Sequence, residues 1–348
     1  MIQLMNTIKP KAPDKILVVR NDKLGDFMLS LPAFALLKQT LPDTEIHALV
    51  PEYTRPMAEA CKFIDHIEID RGKDSNIWQL THALRKQHYD AVITLYSTTR
   101  VGVAVFLAQI PLRIAPATKL AQLFYNKRLS QRRSRSEKAE YIYNRDLASY
   151  YLHLIGIKPS SEKTAPFLHF DDGHIQKLHD LFCQQHHIPA DNKLIFIHPG
   201  SGGSAGNLSL NQFARLAQNL QSTSPFTIIL SCGPGELDTA RTVANLLPNT
   251  PHVVYQSDKG LRHFAEHIQF ADLFISGSTG TLHIAGALNV PTAGFYTRRR
   301  SAVSQRWQTL NSEDHRLAFS PPEKAEEEDM SSIDIKDAAR QISEKFLF

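Results

Sequence analysis

Cysteine is scarce in this chain. Its 348 residues hold three, Cys61, Cys183 and Cys232, far apart and odd in number. That fits neither a disulfide framework nor a zinc ribbon, and it suits a reducing cytoplasm. Long apolar runs are also missing. The longest, Val101 to Leu112, is already broken at Gln109, whereas a membrane-spanning helix needs roughly 18 or more apolar residues. The stretch Met1 to Asp14 contains Pro and Lys and no apolar h-region, so no secretory signal is expected. Nor does one sign of charge dominate: 39 Lys and Arg stand against 35 Asp and Glu, a net of +4. Where the cations sit therefore matters more than their sum, and nucleic acid is not an expected partner. No repeat of solenoid length is visible.

What is present reads as a globular α/β protein. Hydrophobic residues make up 42% and charged residues 21%, and the length divided by about 150 residues suggests two domains. Short β-branched runs alternate with helical patterns. Lys15 to Arg20, Glu45 to Val50 and Ala91 to Leu95 read as strands, with helices over Phe27 to Thr40 and Ile77 to Lys86 between them. A long helix over Ala139 to Leu154 ends at Gly156. Composition then shifts to Pro, Ser, Lys and Asp, with a short strand expected over Pro166 to His169. The rhythm restarts with strands at Leu194 to His198, Phe226 to Ser231, Leu273 to Ser276 and Thr292 to Tyr296. A final helix is expected over Ile333 to Leu347. This alternation predicts two doubly wound Rossmann-like domains, 1–160 and 174–320, joined by a linker over 161–173 and followed by an acidic segment and helix over 321–348. Ligands of such sheets bind beyond the carboxyl ends of the strands, so the cleft between the domains is the expected site.

Three strand-to-helix loops fall there. The first, Arg20 to Asp26, offers Lys23, Gly25 and two aspartates; Asp26 is either a general base or a helix cap. The second runs from His198 through Gly200, Ser201 and Gly202 to Gly206. Its glycines allow the backbone to approach an anion, and Gly200, Gly202 and Ala205 satisfy a G-x-G-x-x-A pattern. A nicotinamide enzyme would also want an acid after the next strand, and the first one is Glu236. The third is Ser276 to Gly280, with Ser278 and Thr279, leading into a helix that carries His283. Thr279, the loop amides and His283 can hold a diphosphate, or Thr279 is an ordinary cap. Arg298, Arg299 and Arg300 follow a strand and are candidates for binding an anion. Basic residues also cluster at Lys127, Arg128, Arg132, Arg133 and Arg135, which suits a solvated face, a phosphorylated substrate or an anionic lipid surface. His263, Glu266 and His267 match an inverted zinc-protease spacing, but Leu261, Phe264, Ala265 and Ile268 form that helix's apolar face and place the histidines on its polar one.

Taken in order, these stretches resemble glycosyltransferase family 9, the lipopolysaccharide heptosyltransferases. The resemblance is carried by Leu17 to Pro32, by His198-Pro-Gly200, by Gly233-Pro-Gly-Glu236 and by Ser276 to Leu288. It implies a GT-B architecture with the acceptor side N-terminal and the nucleotide-sugar side C-terminal. It also implies transfer of heptose from an ADP-heptose co-substrate to the lipid A–Kdo inner core, with inversion, at the inner face of the cytoplasmic membrane. By the same resemblance Asp26 is the catalytic base. The donor diphosphate falls to Thr279, Gly280 and His283, with Ser278 and the Gly200-Ser201-Gly202 loop beside it, and Glu236 lies near the donor ribose. Lys23, Arg128, Arg132 and Arg133 are the candidates for the acceptor. The chain has no Asp-x-Asp pair to hold a metal, so helix ends and cations are expected to carry the leaving charge. Two positions depart from the family pattern. Gly206 stands where a Lys or Arg is usual, and Ser278 where many members have Asp. Arg298 is the expected replacement cation. Two other functions fit parts of the sequence: a nucleotide-sugar binder without catalysis or with another specificity, and a nicotinamide-dependent oxidoreductase.

Overall fold

Ile16 to Val19 are fully buried, as a strand covered on both faces of a parallel sheet must be. The computed structural model describes residues 13–118, 120–200 and 206–348, and within them this strand lies at the centre of the first of two sheets. That sheet contains β1 (Lys15–Val19), β2 (Glu45–Val50), β3 (His66–Ile69), β4 (Ala91–Thr94), β5 (Leu112–Pro116) and β6 (Lys127–Leu129), all parallel, in the order β3-β2-β1-β4-β5-β6. The second sheet contains β7 (Lys193–His198), β8 (Phe226–Cys232), β9 (His252–Gln256), β10 (Leu273–Gly277), β11 (Thr292–Phe295) and β12 (Arg316–Phe319). Its order is β12-β11-β10-β7-β8-β9, again all parallel.

Both sheets therefore wind outward in two directions from their middle strands. The reversal lies between β1 and β4 in one and between β7 and β10 in the other. Crevices open at such reversals, beyond the carboxyl ends of the strands. The loops that follow β1, β7 and β10 are the three singled out from the sequence.

Some local elements differ from expectation. The helix expected from Phe27 to Thr40 is two helices, Leu24–Met28 and Leu31–Thr40. Pro32 has no N–H to donate to the preceding turn, so a helix cannot run through it undisturbed and a new one begins there. The strand expected at Pro166 to His169 does not form. The Phe167 N–H instead donates to the Ala287 carbonyl at 2.8 Å and the His169 N–H to the Ala60 carbonyl at 3.1 Å, so this stretch ties the two halves together. The last helix is α-helical over Ile335–Ile342, where Asp334 caps it by accepting from the Lys336 and Asp337 N–H groups, and it widens to a π-turn over Ser343–Leu347. His267 is not on an outer polar face. It is buried and stacked on Tyr255 at 4.7 Å, with its Nδ1 2.7 Å from the His263 carbonyl.

Candidate active site

Two helix N-termini meet across the cleft. Helix Leu24–Met28 comes from the first half and helix Gly280–Ala287 from the second. Glycine is what lets them approach. A Cβ on Gly25 would lie 2.8 Å from Cδ2 of His283, and one on Gly280 would lie 2.9 Å from a Leu24 methyl. The cleft beside this junction is a cavity of about 770 Å³. Lys23, Asp26 and Tyr53 line it from one side; His198, Gly200, Glu236, Ser278, Thr279, Gly280 and His283 line it from the other.

Asp26 lies in the first turn of its helix, where a carboxylate is favoured by the free N–H groups. Its more telling neighbour is Arg20, the residue directly after β1. Arg20 is buried and holds the Asp22 carboxylate in a fork, Nε to Oδ1 at 2.8 Å and Nη2 to Oδ2 at 2.9 Å. The same Nη2 donates to Asp26. Its Nη1 donates to Glu140 at 3.1 Å and to the Asn144 side-chain oxygen at 3.0 Å. Glu140 also accepts from Arg133 at 2.7 Å and from Arg306 of the second half at 3.2 and 3.3 Å. Burial raises the Asp26 carboxyl to about 6, against the pull of Arg20 and with help from the nearby negative charges of Asp22 and Glu140. Burial acts the same way on Glu140, but there three guanidinium groups outweigh it and its pKa is lowered. The result is a partly desolvated carboxylate at the cleft wall that titrates near neutrality, as a general base should.

The opposite wall is built for an anion. The first-turn N–H groups of Gly280–Ala287 have no intrahelical acceptors and face the cavity end of the helix. Thr279 does not cap them. Its hydroxyl bonds instead with Ser276 at 3.1 Å and Thr281 at 2.9 Å. His283 is buried and uncharged, its pKa pushed down to about 4 by desolvation, and its Nδ1 has no hydrogen-bond partner among the described residues. Across the cavity floor, the Glu236 carboxylate accepts the Gly233 N–H at 3.0 Å and lies 3.6 Å from His198 Nε2. It occupies the space a Cβ on Gly200 would need. Burial lowers the pKa of His198, which bonds through Nδ1 to Ser231 at 3.2 Å.

Not every residue singled out from the sequence reaches the cavity. Ser201 and Gly202 lie outside the described residues. Arg298 is turned away: its Nη2 donates to the Glu323 carbonyl at 3.2 Å and the Ala325 carbonyl at 2.5 Å, tying down the acidic segment. Its neighbour Arg299 lines the cavity, with its Nη1 also 3.3 Å from the Glu328 carboxylate at the exposed rim. Arg133 is committed to Glu140, while Arg128 on the outer strand β6 and Arg132 just beyond it are exposed and do not line the cleft. Tyr53 and Trp307 line the cavity without having been foreseen. Tyr53 follows β2 at its carboxyl end, so strand-end logic alone would have found it. Among the described residues, one His/Glu group has metal-ligand geometry, His47, His66 and Glu68, whose ligand atoms lie within 4.8 Å of one another. It lies on β2 and β3, none of it lines the cleft, and His47 is already bonded to Tyr89 and Glu45 at 3.0 Å each. Among the described residues no helix is long and apolar enough to cross a membrane.

Two parallel six-stranded sheets that face each other across a cleft give this chain a GT-B architecture. Its fold matches that of the Escherichia coli ADP-heptose lipopolysaccharide heptosyltransferase II with a TM-score of 0.76 at 17% identity, covering 96% of this chain and 98% of that one. The family model for glycosyltransferase family 9 (heptosyltransferase) matches residues 77–333. Over 333 residues the chain is 43% identical to a candidate glycosyltransferase of Haemophilus influenzae, covering 95% of this chain and 96% of its relative. It is 25% identical over 291 residues to the lipopolysaccharide heptosyltransferase 1 of Campylobacter coli, covering 80% and 82%. The chain belongs to glycosyltransferase family 9.

Proposed function

We propose that this protein transfers heptose from ADP-heptose to the lipid A–Kdo inner core of lipopolysaccharide, with inversion and without a metal, at the inner face of the cytoplasmic membrane. One observation carries the reading: Asp26 from the first half and the open helix end at Thr279 and Gly280 from the second line a single cavity. In this scheme Asp26 accepts the proton of the acceptor hydroxyl. The hydroxyl oxygen bonds to the anomeric carbon as the bond to the diphosphate breaks on the opposite face. The first-turn amides of Gly280–Ala287, the Thr279 hydroxyl and the neutral ring of His283 stabilise the departing diphosphate. Ser278 and the Gly200 loop border it, and Arg299 adds the positive charge expected earlier of Arg298. Glu236 takes a donor ribose hydroxyl, as a carboxylate at the end of the second strand does in nucleotide-binding sheets. Lys23, exposed at the cleft edge, faces the acceptor side.

The test pairs binding with turnover. Thermal shifts with ADP, UDP and GDP should single out ADP. Asp26→Asn should lower transfer by about 10²–10⁴-fold while ADP binding survives. Near-normal transfer by that variant removes Asp26 as the base. Unchanged ADP binding with no transfer by the wild-type chain to any core acceptor would favour a binding protein instead.

A further inference from the structure

Between Asp90 and Glu137 the sequence contains no acidic residue, while Lys and Arg occur eight times. The fold gathers part of this stretch at one edge of the first sheet, on the outer strand β6 and on the helix and turn that flank β5. The helix Thr99–Leu107 packs against the short 3₁₀ turn Leu120–Phe124, with Phe106 and Phe124 ring centroids 6.1 Å apart. Gly102 makes room for Phe124: a Cβ there would lie 3.0 Å from its ring. Residues three apart in a 3₁₀ turn project from the same side. Leu120 and Leu123 do so, and they are 80% and 72% exposed, with Phe106 beside them at 50%. Three large apolar side chains left in water at one place are unusual for a protein surface. Lys127 and Arg128 stand on the neighbouring strand β6, exposed, and neither forms an ion pair among the described residues. Arg113 lies over the Phe106 ring at 5.4 Å and donates to the Phe124 and Ile110 carbonyls, so the apolar projection is braced rather than loose.

We infer that Leu120, Leu123 and Phe106, flanked by Lys127 and Arg128, dock this protein on an anionic lipid bilayer. The chemistry on both sides matches. Apolar tips insert at the boundary of headgroup and acyl chain, while ammonium and guanidinium groups meet lipid phosphates. The absence of carboxylates from the whole stretch removes the repulsion such a surface would otherwise meet. Each cation near a charged membrane strengthens partitioning about fivefold. The inference takes from the proposed function only that the acceptor is carried by a lipid. A docked edge would hold the first half, and with it Lys23 and Asp26, close to the membrane surface.

Vesicle sedimentation of the full chain tests it. Vesicles of phosphatidylcholine with phosphatidylglycerol should bind the protein and release it in high salt, and pure phosphatidylcholine should bind weakly. The double variant Leu120→Glu/Leu123→Glu should lose at least about tenfold in binding, with its melting temperature within about 2 °C of the parent because both side chains are exposed. Lys127→Glu should weaken mainly the salt-sensitive part. No binding by the parent chain, or equal binding by the double variant, overturns the inference. So does a parent dimer in solution that the double variant abolishes, since the patch would then cover a second copy. Transfer to a delipidated, water-soluble core acceptor keeps the two readings apart. The double variant should retain it. If neither protein transfers heptose to that acceptor, the proposed function fails while the vesicle result stands.

Discussion

Glu140 and Arg306 are 166 residues apart in sequence, yet two hydrogen bonds of 3.2 and 3.3 Å join them across the two halves. Through Arg20, the same carboxylate reaches the cleft aspartate Asp26. The contact between the halves and the ionic surroundings of Asp26 thus share one side chain. Removing one member of a buried ionic cluster leaves the others unpaired, which typically costs about 3–5 kcal/mol. Glu140→Gln should destabilise the protein by an amount of that order in denaturant titration. It also takes away a negative charge that raises Asp26 and leaves Arg20 fewer acceptors. The acidic limb of the activity profile should therefore move to lower pH. A profile that stays in place would separate Glu140 from the base.

The pH dependence of the parent enzyme follows from Asp26 at about 6. In the proposed scheme Asp26 acts ionised, so kcat/KM should rise with a slope of one through about pH 6 and level off above it. For stability the sign is opposite. The folded-state value lies above the ordinary 3.8, so the folded chain holds the proton more tightly than the unfolded one. The contribution of Asp26 to stability is therefore greatest below about pH 4 and declines as pH rises through about 6. Asp26→Asn should abolish both trends, seen in pH-rate profiles and in melting temperatures over pH 4 to 7.

Gly25 lies in a helix, where alanine is ordinarily favoured by about 1 kcal/mol. Here the added methyl would meet His283 at 2.8 Å. Gly25→Ala should therefore reverse the usual preference, costing about 1–3 kcal/mol by overpacking or forcing the helix ends apart. Kinetics should show lost turnover alongside a lowered melting temperature.

His283 is neutral above about pH 4. In the proposed scheme it holds the diphosphate as an uncharged N–H donor. His283→Ala should weaken ADP binding by roughly tenfold, the value of one hydrogen bond to a charged group. The loss should be the same at pH 5.5 and 8 in calorimetric titrations. His283→Asn, which keeps an N–H donor, should recover part of it.

Arg298 and Arg299 are adjacent but serve different ends. Arg298→Ala should leave ADP affinity unchanged and loosen residues 321–329, detectable as faster hydrogen exchange there. Arg299→Ala should weaken ADP binding, and more so at low ionic strength. The reverse pattern would restore the assignment first suggested by the sequence.

The two sheets and the three loops were legible because their signals are local. A β-branched run followed by glycine, serine and a helical period announces a strand end and a helix start wherever it occurs. The outer strands were harder. His66–Ile69, Lys127–Leu129 and Arg316–Phe319 are three or four residues long, carry charge, and owe their strand geometry to a neighbour already in place. The five-residue strands Leu112–Pro116, which lies inside the first sheet, and His252–Gln256 were not anticipated either. The ionic cluster was hidden for another reason. Nothing around Arg20 in the sequence distinguishes it from the end of a strand, and its partners Glu140 and Arg306 are set by how the two halves pack. The same holds for Arg298 and Arg299: strand position put both at the ligand end, and the path of the acidic segment draws Arg298 onto its carbonyls while Arg299, paired with Glu328, stays at the cavity rim.

The stretch that links the halves is bonded to both of them, and one apolar core runs without interruption from Ile16 and Val18 through Phe167 and Leu168 to Phe196 and Ala287. A seam filled this way acts as a spine. Neither half can be excised without baring its oily side. Heating should accordingly melt the molecule in one step, and a fragment carrying either sheet alone should aggregate.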